Sequence, residues 1–316
     1  MTNKLFFASD VHGATTVWKK WLKAPEIYGI NIMMMCGDLT GKQLSYIVRE
    51  NSQYHIPFFD RECITASEEE LAQKKKALSD SGFYVHLGSR REKEELLNDP
   101  AALNALFDQK IKERLQEWLE ELIGTIDLLH IQPFIMPGND DHYIVDDILH
   151  SFESLGIKGC IDNVVKIDGI EMISLPYSNP TPWNTPRELS ENKILEKIDA
   201  QVKKLSNLHK AIFNFHCPPY GTRLDLAPRL DKNMKPMMDS GGVEYIHVGS
   251  KAIRKAIEKY QPMLCLHGHV HESPGVEKIG RTVCINTGSE YQMGILKGYV
   301  IEVSQEGLQN YWKVEG

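Results

Sequence analysis

Several features are scarce in this sequence, and each absence narrows the field. The six cysteines (Cys36, Cys63, Cys160, Cys217, Cys265, Cys284) are scattered and form no C-x-x-C pair. That excludes a ribbon-type zinc motif or a dithiol redox motif and favours reduced, buried thiols. No apolar stretch approaches the roughly 20 residues that a membrane-spanning helix requires. The first residues run directly into Lys4-Leu5-Phe6-Phe7-Ala8, too short for a signal-peptide core with its flanks. A cytoplasmic protein that does not engage a membrane is therefore expected. Positive charge is also scarce, with 36 Lys and Arg against 43 Asp and Glu, a net charge of -7. This argues against a broad nucleic-acid-binding face. An anionic substrate stays open, because bound divalent cations reverse a local field. Internal repeats and low-complexity tracts are missing.

What is present is an ordinary globular composition, 316 residues with 42% hydrophobic side chains, enough for a sizeable core. Short apolar runs alternate with helical patterns, the signature of an α/β chain. The expected strands are 5–9, 32–36, 134–136, 164–167, 171–175, 211–215, 263–266, 282–285 and 295–302. The expected helices are about 14–23, 144–155, 187–205 and 250–259. A stretch at 42–130 breaks the alternation and reads as an insertion within a single domain spanning 1–316. It opens with a hairpin turning at Glu50-Asn51-Ser52. Ser67-Glu68-Glu69-Glu70 then forms a capping-box pattern for a helix stopping at Gly82. Asp99-Pro100 starts a second helix, with Gly124 as its C′ residue. Leu103, Leu106, Phe107, Ile111, Leu115, Trp118, Leu119 and Leu122 make one stripe along it. The insertion is expected to be a helical arm or cap, with 62–125 a candidate route to homo-oligomers.

Metal-capable side chains fall at the C-terminal ends of five expected strands. Asp10-Val11-His12 follows the first and Gly37-Asp38 the second. Gly138-Asn139 follows 134–136, His216 ends 211–215, and Gly268-His269-Val270-His271 follows 263–266. Sites in α/β sheets form at these carboxyl ends. Mixed nitrogen and oxygen donors without thiolate suit manganese, iron or zinc. A bidentate carboxylate such as Asp38 can bridge two cations.

D-x-H, G-D, G-N, H and G-H-x-H in this order resemble the calcineurin-like metallophosphoesterase superfamily. The stretches His216–Thr222, His247–Ser250, His267–Glu272 and Asn286–Ser289 look closest to the Icc-related predicted phosphoesterases. The resemblance covers most of the chain outside the insertion. It implies an α/β (α+β) fold, a four-layer αββα sandwich carrying a hairpin and helical insertion. It also implies two divalent metal ions. Asp10, His12, Asp38 and His271 would hold one; Asp38, Asn139, His216 and His269 would hold the other. A metal-bridging hydroxide would then attack a small phosphoester. One departure matters. Many members read G-N-H-[DE], with that histidine placed to protonate the leaving oxygen, but here the residue is Asp140. This favours phosphodiesters, which need less acid assistance. Asp140 and His142 are the candidates for proton transfer, and His247 and Arg254 for substrate binding. The long loop from Pro218 to about Glu244 is a candidate gate. The competing readings are a nuclease of the same superfamily and a partner-binding scaffold on the same fold.

Overall fold

The computed structural model describes residues 2–161, 163–239 and 241–316. From the N-terminus, β1 (Asn3–Ala8) leads through α1 (Thr15–Leu22) and α2 (Ala24–Tyr28) to β2 (Ile32–Cys36). The next segment builds β3 (Gln43–Glu50), β4 (Gln53–Phe58), β5 (Arg61–Thr65), α3 (Glu68–Asp80), β6 (Phe83–Gly88), α4 (Arg90–Asn98) and α5 (Pro100–Thr125). Then come β7 (Gln132–Met136), α6 (Ile144–Phe152), β8 (Lys158–Gly159), β9 (Val165–Ile167), β10 (Ile170–Leu175), α7 (Glu191–Val202) and β11 (Ile212–Phe215). A loop with β12 (Leu226–Pro228), β13 (Met238–Asp239), β14 (Gly242–Val243) and β15 (Tyr245–His247) precedes α8 (Lys251–Tyr260). The chain closes with β16 (Leu264–His267), β17 (Gly275–Ile279), β18 (Thr282–Asn286), β19 (Lys297–Ser304) and β20 (Gly307–Glu315).

Two six-stranded sheets form the centre, ordered β20-β19-β1-β2-β7-β8 and β17-β18-β16-β11-β10-β9. Strands β1, β2 and β7 run parallel, as do β10, β11, β16 and β18. The period of two along a strand explains the layering. Leu5, Phe7, Met34 and Phe134 face Met172, Ile212 and Leu264 in a core between the sheets. Their neighbours Phe6, Ala8, Met33, Met35 and Ile135 point the other way, onto α1, α5 and α6. On the far side Ile173, Phe213, Cys265 and Cys284 pack under Ile194 and Ile198 of α7 and Ile253 and Ile257 of α8. The architecture is a four-layer αββα sandwich.

Of the two forms expected for the inserted segment, arm or cap, a free arm is not what the structure shows. A four-stranded sheet, β5-β4-β3-β6, is covered by α3 through Ile47, Tyr54, Ile56, Leu71 and Leu78. Helix α5 does not stand away from the domain. Its Ile111, Leu115, Trp118, Leu119 and Leu122 are buried in the core shared with α1 and α6, and Trp118 stacks on Trp18 at 4.7 Å. The periodic stripe identified a helix with one covered face; the covering surface is the domain itself. Asp99 caps this helix, accepting from Ala101 N and Ala102 N. Gly124 lies inside the helix rather than at C′, and the chain leaves through extended Ile126. Ser67 Oγ accepts from Glu70 N, but Ser67 N donates to Thr65 Oγ1, so the return bond of the box has no donor left. The complete reciprocal box is at Ser89 and Glu92, starting α4. No helix among the described residues is long and apolar enough to cross a membrane.

Candidate metal centre

The loops after β1, β2, β7, β11 and β16 converge where the carboxyl ends of both sheets meet. Asp10, His12, Asp38, Asn139 and His216 are buried there, and His269 and His271 are partly buried. Asp10, His12 and His271 offer ligand atoms within 4.8 Å of one another, and so do Asp38, His216 and His269. His12 Nε2 lies 3.1 Å from His271 Nε2 and 3.6 Å from Asp38 Oδ2. His271 Nε2 is 3.3 Å from Asp10 Oδ1. In the second group His216 Nε2 is 3.1 Å from Asn139 Oδ1 and 3.3 Å from Asp38 Oδ1. Asp38 thus turns one oxygen to each group. Ligand bonds of about 2.1 Å in tetrahedral geometry give donor–donor edges of about 3.4 Å, so these spacings fit two small cations. So many lone pairs have little other reason to converge in a buried place.

The backbone is strained at the same place. Asp10, His12, Asp38 and His269 have φ of 57, 43, 47 and 67°. Non-glycine residues adopt this left-handed region uncommonly, and it clusters at functional sites. The glycines before three of the donors have a packing reason. A Cβ on Gly37 would lie 1.9 Å from His216 Nδ1, on Gly138 2.2 Å from Asp38 Oδ1, and on Gly268 2.2 Å from Asp10 Oδ2.

Charge is balanced tightly. Burial would raise Asp10, but the bond from His271 and the charges of His216 and His271 hold its carboxyl far below the usual range. Burial disfavours charge on His216, yet Asp38 beside it raises the imidazole to about 9. His269 is pushed down to about 4 by burial and by His216. A cation bound beside Asp38 would compete with the proton that this carboxylate favours on His216. Among the described residues His12 Nδ1 has no hydrogen-bond partner, with Asp140 Oδ2 4.0 Å away.

The remaining sequence candidates divide. Asp140 is brought to the cluster: its backbone N donates to Asp38 Oδ1 at 2.9 Å, and its carboxylate pairs with Lys42. Burial, with Asp38 adding, pushes Asp140 up to about 7 against the pull of Lys42. His142 is directed elsewhere, its Nδ1 2.6 Å from Asp108 Oδ1 of α5. Arg254 is not brought to the centre; it pairs along α8 with Glu258 at 2.6 Å. His247 lines a cleft that also includes His269. Three contributors escaped the sequence reading. Lys42 pairs with Asp140, and the Tyr291 ring lies 4.6 Å from that of His12. Buried Asp141 accepts from Leu39 N, Thr40 N, Thr40 Oγ1 and Gly138 N at 2.6–2.9 Å. It ties the Asp38 loop to the Asn139 loop. The run Asn139-Asp140-Asp141 was visible, but nothing local says that Asp141 turns inward.

No family model matches the chain. The uncharacterized protein MJ1162 of Methanocaldococcus jannaschii is 38% identical over 173 residues, 54% of this chain and 69% of that protein. One solved structure superposes with a TM-score of 0.58 at 16% identity, covering 100% of this chain and 99% of its own. TT1561 of Thermus thermophilus superposes at 0.53 with 11% identity, covering 99% of each. These two likenesses are of fold.

Proposed function

We propose that this chain, which belongs to the family that includes MJ1162, is a metal-dependent phosphoesterase of the calcineurin-like type that favours diesters. The observation that carries the reading is the pair of donor groups sharing Asp38, with His12 on one oxygen and His216 on the other. Asp10, His12, Asp38 and His271 would hold one divalent ion; Asp38, Asn139, His216 and His269 would hold its neighbour. Bound there, such ions would supply Lewis acidity toward phosphoryl oxygens and activate water for in-line displacement. Manganese, iron or zinc fits the donor set.

The protein's own residues do the rest. Asp10 Oδ1 and Oδ2 accept from His269 N at 3.0 and 3.1 Å, which fixes the loop carrying two imidazoles. Lys42 places a cation beside the cluster, suited to an equatorial phosphoryl oxygen. Asp140 stands where many members have a leaving-group acid, and its carboxylate is engaged by Lys42 rather than by an imidazole. A diester with a good leaving group tolerates that arrangement better than a monoester.

The test is a panel of bis(p-nitrophenyl) phosphate, cyclic nucleotides and p-nitrophenyl phosphate with manganese-loaded protein. Turnover of a diester, lost by at least about a thousandfold in Asp38→Ala, is expected. Activity that survives in Asp38→Ala or after chelation contradicts the reading.

A further inference from the structure

A cleft of about 560 Å³ opens from His269, and Trp183, Tyr220, His247 and Lys251 line it. Its size is in the range of small-molecule sites. Large aromatic side chains normally turn inward, since each removes much apolar surface from water. Here Trp183 is 63% exposed and Tyr220 is 37% exposed, on two loops facing the same space.

Both loops are held in place. Glu188 Oε1 accepts from Thr185 N at 2.8 Å and from the hydroxyls of Thr185 and Thr181 at 2.9 and 2.5 Å. Trp183 N donates to Thr181 Oγ1 at 3.2 Å. Asn139 Nδ2 donates to Thr185 Oγ1 at 2.9 Å, which turns Asn139 Oδ1 toward His216. The Trp183 loop is therefore bonded directly to a donor of the candidate metal centre. On the other wall, fully buried Asp225 accepts from Gly221 N, Thr222 N and Gly249 N at 2.9–3.1 Å. Its Oδ1 lies 2.8 Å from His247 Nδ1, which fixes the orientation of the imidazole in the cleft wall. Asn179 Nδ2 donates to Val248 O at 3.1 Å and joins the two walls. Lys251 Nζ stands 5.1 Å from the centroid of the Tyr220 ring.

We propose that this cleft is the subsite for a planar aromatic group esterified to the phosphate, a nucleobase in a natural substrate, held against Trp183 and Tyr220. The proposal rests on reading the neighbouring donors as the phosphoester centre. An alkyl chain would need only apolar walls. Two exposed rings, a fixed imidazole and a nearby cation suit a flat, π-rich group that also hydrogen-bonds. Stacking of this kind tolerates different bases, because every base presents a π-face. His269 lines the same cleft, so a phosphate attached to the stacked group would reach the donors without a connecting channel.

The experiment is calorimetric titration of adenosine into the full chain, once loaded with manganese and once stripped by chelation. Adenosine carries no phosphate, so its binding does not depend on the metals. The wild-type protein binds adenosine in both states and does not bind ribose. Trp183→Ala weakens adenosine about tenfold, whereas Trp183→Phe stays within about threefold. The exposed position of Trp183 leaves the fold intact, which an unchanged melting curve checks. Adenosine binding that is absent in the wild type, or equal in Trp183→Ala, overturns the subsite. Hydrolysis of bis(p-nitrophenyl) phosphate, measured alongside, separates the two readings. Turnover without Trp183-dependent adenosine binding defeats the subsite alone. Binding without any phosphoesterase turnover supports the subsite and defeats the reading of the neighbouring centre.

Discussion

Asp141 joins two loops of the candidate centre through its buried carboxylate. Its carboxylate takes four donors from two loops, Leu39 and Thr40 on one and Gly138 on the other. Hydrogen bonds to a charged group contribute more than neutral ones, and orphaning buried N–H groups adds a desolvation cost. Asp141→Ala should therefore lower stability by about 3 kcal/mol in chemical denaturation. It should weaken manganese binding as well, because Asp38 would lose its fixed loop. Asp140 next to it gives a sharper chemical test. Asp140→His should raise p-nitrophenyl phosphate turnover relative to bis(p-nitrophenyl) phosphate turnover, by placing at the leaving-group side an imidazole acid that does not pair with Lys42 as the carboxylate does. An unchanged ratio would rule out the part assigned to this position. The contrast between these neighbours and the seven donors explains what the sequence can reveal. Asp10, His12, Asp38, Asn139, His216, His269 and His271 fall within short motifs at strand ends, so spacing exposes them. Lys42, Asp141 and Tyr291 acquire their roles from partners across the fold, and no local spacing encodes such contacts.

At the scale of elements, caps and periodicity were informative about where helices begin. Asp99-Pro100 lies at the observed start of α5, and the helix expected over 250–259 starts where expected, with Ser250 Oγ accepting from Ile253 N. Strands β1, β2, β10 and β11 follow from apolar runs because both of their faces are buried. Strands β5 and β20 and helix α4 were missed, since they are short of buried residues or largely exposed and leave a weak pattern. A helical stripe shows which face is covered but not by what, which is why α5 reads from the sequence as an arm or cap. Trp118→Ala tests the corrected placement. As part of the main core it should cost about 3–5 kcal/mol, by lost burial and a residual cavity. On a free arm the loss would be within about 0.5 kcal/mol, as for a surface change. Urea denaturation of the full chain distinguishes the two.

At the scale of the whole molecule, the two parallel runs of strands bring five loops to one edge, and this edge is where strained backbone, buried carboxylates and imidazoles coincide. The inserted sheet and α5 extend one flank of that edge through Lys42, while the loops holding Trp183 and Tyr220 extend the other. The order of the motifs made the layers and the convergence of these side chains legible; the two flanks were not, because they come from segments of unlike origin meeting in space. The central claim is that one shared carboxylate joins two cation sites at this edge. Its most direct test is calorimetric titration of manganese into metal-stripped protein. The account predicts two ions bound per chain in the wild type and the loss of tight two-site binding in Asp38→Ala. No binding in the wild type, or two tight sites persisting in Asp38→Ala, would contradict it.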